Sequence, residues 1–122
     1  AFMMWPYAAA ALTALRRRLP MMPKYRKHAV AIGAALRDAD GIEVLPSPVP
    51  ATMMHLRARI ADDELRRRAA AIAIDEKVMT FPRPFASEQG DLKRFELSVG
   101  DATLELAPSE VASLISRLLG PA

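Results

Sequence analysis

Three stretches of the chain repeat apolar residues at intervals of three and four, the spacing that places side chains on one face of an α-helix. A further helix is predicted ahead of them over residues 7–19. This segment is rich in alanine, Pro6 suits its first turn, and the arginines at 16–18 suit its negative end. The apolar faces of the three amphipathic helices are Tyr25, Ala29, Ile32 and Leu36, then Leu65, Ala69, Ile72 and Ala73, and finally Val111, Leu114, Ile115 and Leu118.

Residues that favour turns or helix ends flank these stretches and indicate where each helix begins and ends. The predicted boundary residues are Pro20 and Pro23 at the end of the first helix, Asp40-Gly41 after the second, Asp62 and Asp63 as caps of the third, and Pro108 and Gly120-Pro121 at the two ends of the last.

Two other segments alternate apolar and polar residues, which is typical of a β-strand with one buried face. Short apolar segments at 42–45 and 78–81 are predicted as brief strands. Residues 46–51 contain three prolines and form a stiff connector, and residues 82–91 are predicted as a loop. The predicted buried positions are Met54, Leu56, Ala58 and Ile60 in one alternating segment and Phe95, Leu97 and Val99 in the other.

The order of these elements favours one class of fold. Two helices lead, followed by two strands, a helix, one or two strands and a closing helix. Such an order is typical of an α+β fold of two layers, in which a short, mainly antiparallel sheet carries helices on one face. A chain of 122 residues, 52% hydrophobic and 25% charged, matches one globular domain. We therefore expect a single α+β domain over residues 1–122.

Positive charge is concentrated in the first half of the chain. Residues 1–61 carry nine lysines and arginines against three acids, whereas residues 62–122 carry eight against eleven. A basic surface can bind nucleic acid. The arginine triplets at 16–18 and 66–68 cannot each lie on one helix face, because successive residues of a helix point about 100° apart. Solvated helices are the favoured interpretation, and a free-standing interaction module that binds nucleic acid remains an alternative.

The sequence offers few groups for catalysis. It has no cysteine, its five glycines are isolated, and neither histidine has a partner at metal-ligand spacing. We expect His28 to be solvated on its helix and His55 to lie on the less buried face of its strand. These residues alone predict no catalytic group and no metal site. The lack of cysteine favours a cytoplasmic protein, and no apolar run is long enough for a membrane span.

Large apolar residues stand at the beginning of the chain, where side chains are usually exposed to water: Phe2, Met3, Met4 and Trp5. We expect that a segment preceding this sequence covers them. Six of the seven methionines stand in adjacent pairs, which indicates adaptable packing on a surface that another part of the protein covers.

Three features in a fixed order carry a resemblance to a known family. A Leu-Pro-Met stretch at 19–21 precedes a helix, a proline-rich bend at 46–51 precedes a Thr-x-Met strand at 52–54, and a strand headed by Arg94 leads to Asp101 and a closing helix. Over nearly the whole chain this succession resembles the C-terminal small domain of threonine aldolase-like enzymes. These are pyridoxal-phosphate (PLP) proteins of the aspartate-aminotransferase fold, also described as beta-eliminating lyases.

The resemblance implies a role for Arg94. In that family an arginine near the start of this strand holds the α-carboxylate of the substrate, and a planar guanidinium suits this role because it can donate two parallel hydrogen bonds. Lys93 is expected to point to the opposite face of the strand. The alternative interpretation is that Arg94 is an ordinary solvated cation at the end of a strand.

Two departures from the family pattern bear on the activity. Thr52-Met53-Met54 stands where the family usually has Thr-Asn-Met, and Leu97-Ser98-Val99 stands where a Thr-His pair is usual. Both put strict threonine aldolase activity in doubt and leave the broader lyase group open. The PLP-binding lysine belongs to a preceding large domain in the family, and none of Lys24, Lys27, Lys77 or Lys93 has the sequence context of such a lysine.

The resemblance therefore implies the C-terminal domain of a PLP-dependent lyase that cleaves a β-hydroxy amino acid between its α- and β-carbons. Residues 1–23 would form an interdomain linking helix and residues 24–122 the α+β unit. The implied partners are a PLP-binding large domain of the same protein, an amino-acid substrate and further copies in a dimer or tetramer, with no nucleic acid and no membrane. The small domain of another PLP lyase or of an aminotransferase is a second alternative.

Overall fold

A computed structural model of the protein describes residues 3–122. In this range the elements follow one another with short connections. In chain order they are α1 (Trp5–Arg18), a 3-10 turn (Leu19–Met21), α2 (Met22–Leu36), β1 (Ile42–Leu45), β2 (Met53–Arg59), α3 (Asp62–Glu76), β3 (Ala86–Ser87), β4 (Leu92–Ser98), α4 (Asp101–Leu104) and α5 (Pro108–Leu119).

The strands form one antiparallel sheet in the order β1-β2-β4-β3. In the central β2–β4 ladder, Leu56 lies opposite Phe95 and Arg57 opposite Arg94. Helices α2, α3 and α5 cover one face of this sheet, and the other face carries most of the polar residues of the strands. The predicted two-layer α+β fold is therefore confirmed.

The core lies between the sheet and the three covering helices. The alternation predicted for β2 is confirmed, since its even-numbered residues and Ile60 are buried and its odd-numbered residues are not. Leu97, Ala73 and Leu114 are only partly buried. The largest fully buried side chains are Ile32, Leu36, Met54, Leu56, Leu65, Phe95, Leu118 and Leu119.

The proline-rich connector between β1 and β2 packs against the C-terminal half of α2. Val49 of the connector is 5% exposed, and a Cβ added to Gly33 would lie 2.6 Å from its Cγ2 atom. Glycine weakens a helix interior by about 1 kcal/mol relative to alanine. At position 33, glycine allows Val49 of the connector to lie against the helix. This contact covers one end of the core.

Two sequence predictions around the last strands were wrong. Val78–Phe81 does not form a strand, and part of the predicted 82–91 loop, Ala86–Ser87, pairs with β4 instead. The backbone of the first segment is irregular. Its Met79 is exposed, whereas the Phe81 ring lies 5.4 Å from the Phe95 ring. Edge pairing depends on the course of the turn before β4 and on the free edge of that strand, so local composition did not predict it.

The predicted caps of α3 were also wrong. Ala61 is the N-cap residue, with extended backbone angles, and no side chain caps the helix. Asp62 and Asp63 lie inside the first turn, where their charges still complement the positive helix end. Asp62 lies beside Lys93, and Asp63 pairs with Arg66.

Helix α1 has no buried residue. Trp5 and Tyr7 of the helix and Met3 and Met4, which precede it, are exposed, whereas Phe2 lies outside the residues that the structure describes. None of the helices formed by residues 3–122 combines the length and the apolarity needed to cross a membrane.

Candidate functional site

The face of the sheet that the helices leave open carries most of the polar strand residues. Because directly opposite residues in a ladder share a face, the register places residues of all four strands together there. The open-face residues are Glu43 and Leu45 of β1, Met53, His55, Arg57 and Arg59 of β2, Ala86 of β3, and Leu92, Arg94, Glu96 and Ser98 of β4. Charged groups of both signs alternate across this face.

Arg94, the residue singled out by the family resemblance, lies near the centre of the open face. Its side chain is 36% exposed, and a single oxygen of Glu88, Oε1, accepts hydrogen bonds from its Nε atom at 2.9 Å and from its Nη2 atom. No hydrogen bond from its Nη1 atom is formed to any residue in the range 3–122. The guanidinium is thus held along one edge.

Arg57 lies directly opposite Arg94 and is held in a similar way. Its Nε and Nη2 atoms lie 2.8 Å and 2.6 Å from Oε2 of Glu43. Its Nη1 atom lies 3.6 Å from Oε2 of Glu88, the oxygen that Arg94 does not use. Glu43, Arg57, Glu88 and Arg94 therefore form a row of alternating charges across the sheet, hereafter the charge row.

A short hairpin places Glu88 over the sheet. The backbone N–H of Glu88 donates to the carbonyl of Leu92 at 2.9 Å, and the N–H of Leu92 donates to the carbonyl of Gln89 at 3.0 Å. Gly90 closes the turn with a φ of +58°, a conformation that glycine adopts without strain. Because β3 pairs with β4 only through Ala86 and Ser87, this turn is the main local constraint on Glu88.

Lys93 points away from the charge row, as predicted. Its side chain is 7% exposed, and its Nζ atom lies 3.3 Å from Oδ1 of Asp62 at the beginning of α3. The pair joins the sheet to this helix. It gives Lys93 a structural partner on the helix-covered face.

The two histidines differ from each other in their surroundings. His55 lies on the open face as predicted, with Nε2 3.6 Å from Oε2 of Glu96 and its ring 5.5 Å from the ring of Phe85. The prediction for His28 was wrong: it is half-buried, and its Nε2 atom is shielded from solvent without a hydrogen-bond partner in the described chain. The helical pattern alone did not reveal this burial.

The residues present do not fit a PLP site. A lysine that forms a Schiff base needs its amine free and facing a cofactor pocket. Lys24 and Lys27 are exposed on α2, Lys77 donates to the carbonyl of Ile74 at 2.7 Å, and Lys93 is paired with Asp62. Within residues 3–122, no three His, Asp or Glu side chains are grouped so that they could hold a metal ion.

A second polar cluster connects the leading helices to the end of β4. The Tyr25 hydroxyl donates to Oδ1 of Asp101, and Arg17 of α1 lies 3.5 Å from Oδ2 of the same residue. The hydrogen bond to Asp101, together with burial, raises the pKa of Tyr25 above its ordinary value of 10.0. Asp101 thus joins α1 and α2 to the short helix α4.

The second arginine triplet is only partly solvated. Arg66 and Arg67 are exposed, whereas the Arg68 side chain is 16% exposed and donates to the carbonyl of Gly120 at 2.7 Å and to that of Leu118 at 3.3 Å. Hydrogen bonds from Arg67 and then from Arg68 lower the pKa of Glu64. Arg68 therefore binds the end of α5, which corrects the prediction of a uniformly solvated triplet.

Sequence reasoning missed three members of the charge row. Arg57 was placed on the open face by alternation but was given no role, Glu43 was one residue of a short strand, and Glu88 belonged to a predicted loop. The odd-numbered positions of Arg57 and Glu43 were a usable signal for a shared face. The cross-strand register that joins them to Arg94 was not predictable from local pattern.

The chain matches no protein-family model and no curated protein sequence. Two solved structures are similar to it. One, from Listeria monocytogenes, is proposed to be an L-allo-threonine aldolase, with 24% identity, a TM-score of 0.78 and coverage of 95% of this chain and 32% of that chain. The other, from Exiguobacterium, is proposed to be an aromatic amino acid beta-eliminating lyase/threonine aldolase, with 19% identity, a TM-score of 0.76 and coverage of 93% and 32%.

At this level of identity the likeness establishes the fold. This chain spans about a third of the length of each matched protein. The resemblance predicted from the sequence is confirmed at the level of the fold, and this chain folds as does the matched third of two threonine aldolase-like proteins.

Proposed function

We propose that this chain is the C-terminal α+β domain of a longer PLP-dependent carbon–carbon lyase of threonine aldolase-like type. In that longer protein, hereafter the complete enzyme, Arg94 binds the α-carboxylate of a β-hydroxy amino acid. The PLP is carried by a large domain outside this sequence, because the lysines of this chain do not fit a Schiff-base site. The chain's own contribution is to bind and orient the substrate.

The observation that carries the proposal is that Glu88 binds the guanidinium of Arg94 along only one of its edges. Glu88 occupies the Nε side of the guanidinium, so the Nη1 side is available on the open face of the sheet. A guanidinium with a free edge can donate two parallel hydrogen bonds to a carboxylate. The fold shared with two longer threonine aldolase-like proteins supports the same role.

Helix α1 supports the existence of a further domain. Trp5 and Tyr7 are each 69% exposed, and Met3 is 74% exposed. Exposed apolar side chains of this size on one helix and the residues just before it are typical of a surface that another part of a protein covers. We propose that residues 1–23 link the two domains, and that the complete enzyme is a cytoplasmic dimer or tetramer.

Substitution of Arg94 in the complete enzyme tests the proposal. Arg94→Ala is expected to weaken the binding of amino-acid substrates by roughly 1.5–3 kcal/mol, the usual contribution of a charged hydrogen-bonded contact. The PLP absorbance is expected to stay intact because the cofactor is bound elsewhere. Michaelis constants equal to those of the unsubstituted enzyme would refute the assignment.

A further inference from the structure

The guanidinium of Arg94 presents two edges to its surroundings. The side edge consists of Nε and one N–H of Nη2, and the end edge consists of Nη1 and the other N–H of Nη2. Glu88 occupies the side edge through a single oxygen, Oε1. Its other oxygen, Oε2, faces Nη1 of Arg57 at 3.6 Å. The end edge of Arg94 is therefore the part of the group left for a ligand.

We propose that Glu88 is a positioning residue for Arg94. Its carboxylate fixes the side edge of the guanidinium, so that the end edge is presented to an incoming carboxylate in a set orientation. Arg57 and Glu43 hold Glu88 in turn, since Glu43 keeps Arg57 in place through two contacts, at 2.6 Å and 2.8 Å. The identity of the ligand rests on the proposed function, whereas the fixed orientation of Arg94 is a property of this chain.

The alternative is that Glu88 competes with the ligand for Arg94. A carboxylate that competed for the end edge would accept hydrogen bonds from Nη1 and Nη2. Glu88 instead uses one oxygen on the side edge and directs the other to Arg57. This division of its two oxygens favours positioning over competition.

Positioning has a measurable consequence for affinity. A free arginine side chain loses rotamer freedom when a ligand orders it. The entropy lost by one such side chain lowers the affinity for the ligand by roughly two- to tenfold. Glu88 imposes this order before the ligand arrives. Removal of Glu88 should therefore raise KM for amino-acid substrates by roughly two- to tenfold and leave kcat nearly unchanged.

The first experiment measures the orientation of Arg94 directly. In the 122-residue chain, nitrogen-15 NMR of the arginine Nε–H groups is compared between the native protein, Glu88→Ala and the matched control Glu96→Ala. Glu96 lies on the same open face of the sheet as Arg94 but contacts His55 rather than Arg94.

We expect the Arg94 Nε–H to exchange slowly with solvent in the native protein and in the control. In Glu88→Ala it should exchange as fast as the Nε–H of an exposed arginine. Equal exchange in all three proteins overturns the proposal. If Glu88→Ala does not fold, Glu88→Gln replaces it and is expected to give a partial effect.

The second experiment measures KM and kcat in the complete enzyme. Glu88→Ala should raise KM as stated above, and it should have no effect when Arg94→Ala is already present. A lower KM for Glu88→Ala would identify competition and overturn the proposal. If Arg94→Ala alone leaves KM unchanged, the proposed function fails, and the NMR comparison still decides whether Glu88 orients Arg94.

Discussion

Arg57 and Arg94 lie directly opposite each other in the β2–β4 ladder, and the carboxylate of Glu88 lies between their guanidinium groups. Like charges directly opposite each other destabilise a sheet. Glu88 offsets this repulsion with one oxygen toward each arginine, and Glu43 supplies a second negative charge beside Arg57. The two glutamates of the charge row therefore allow Arg57 and Arg94 to lie opposite each other in the central ladder.

The free energy of unfolding should depend on this arrangement. Glu88→Ala is expected to lower it by about 0.5–1 kcal/mol, because two partly exposed ion pairs are lost and the opposed arginines remain. Added sodium chloride should recover part of the loss by screening the repulsion. Urea unfolding at low and high salt measures both effects. An equal, salt-insensitive loss in the control Glu96→Ala would contradict this explanation.

Replacement of Arg94 by lysine separates charge from geometry in the complete enzyme. Lys keeps the positive charge but cannot donate two parallel hydrogen bonds. We expect Arg94→Lys to recover less than half of the binding free energy lost in Arg94→Ala, with KM as the measurement. Full recovery by Lys would mean that Arg94 acts through its charge alone.

The ion pair between the buried Lys93 and the exposed Asp62 should give stability changes of different sign in two substitutions. Asp62→Ala leaves a nearly buried ammonium without its partner and should lower the free energy of unfolding by about 1–2 kcal/mol. Lys93→Met removes the charge, fills a similar volume, and should be neutral or stabilising by up to about 1 kcal/mol. Urea unfolding of both variants and of the double variant measures the difference. A loss of several kcal/mol in Lys93→Met would show that the ammonium is needed for more than its pairing.

Gly33 is required by packing rather than by helix formation. Gly33→Ala should lower the free energy of unfolding by about 1–3 kcal/mol, because the new Cβ lies 2.6 Å from Cγ2 of Val49. On helix propensity alone the change would be favourable by about 1 kcal/mol. In the background of Val49→Ala, where the obstructing methyl is absent, the same substitution should be less harmful. Stabilisation by Gly33→Ala in the native background would argue against this contact.

Tyr25 gives the stability of the protein a dependence on alkaline pH. Its pKa is raised from 10.0 chiefly because its hydroxyl donates to Asp101. A group whose pKa is raised on folding contributes stability that is present below its unfolded pKa and is lost as pH rises through its folded pKa. The stability difference between the native protein and Tyr25→Phe should therefore be constant below about pH 10 and shrink above it. Unfolding curves of both proteins from pH 8 to pH 11.5 measure it, and a difference that grows above pH 10 would contradict the assignment.

Much of the fold followed from the sequence because helical and strand periodicities are local. The apolar spacing of Tyr25, Ala29, Ile32 and Leu36 predicted the buried face of α2, and the alternation around Leu56 predicted that of β2. Each pattern depends only on the geometry of its own segment. The two-layer α+β arrangement followed from their order, and Arg94 was singled out through the family resemblance.

Only the tertiary structure decided which residues of different elements and turns contact one another. The partner of Arg94 lies in a predicted loop, Asp62 pairs with Lys93 instead of capping its helix, and Ala86–Ser87 pair as a strand because β4 offers a free edge. The register of a sheet and the course of a turn fix such contacts, and both depend on the packing of the whole domain. The sequence by itself therefore determined which face of each element is buried, while the packed structure determined which charged groups meet on the open face.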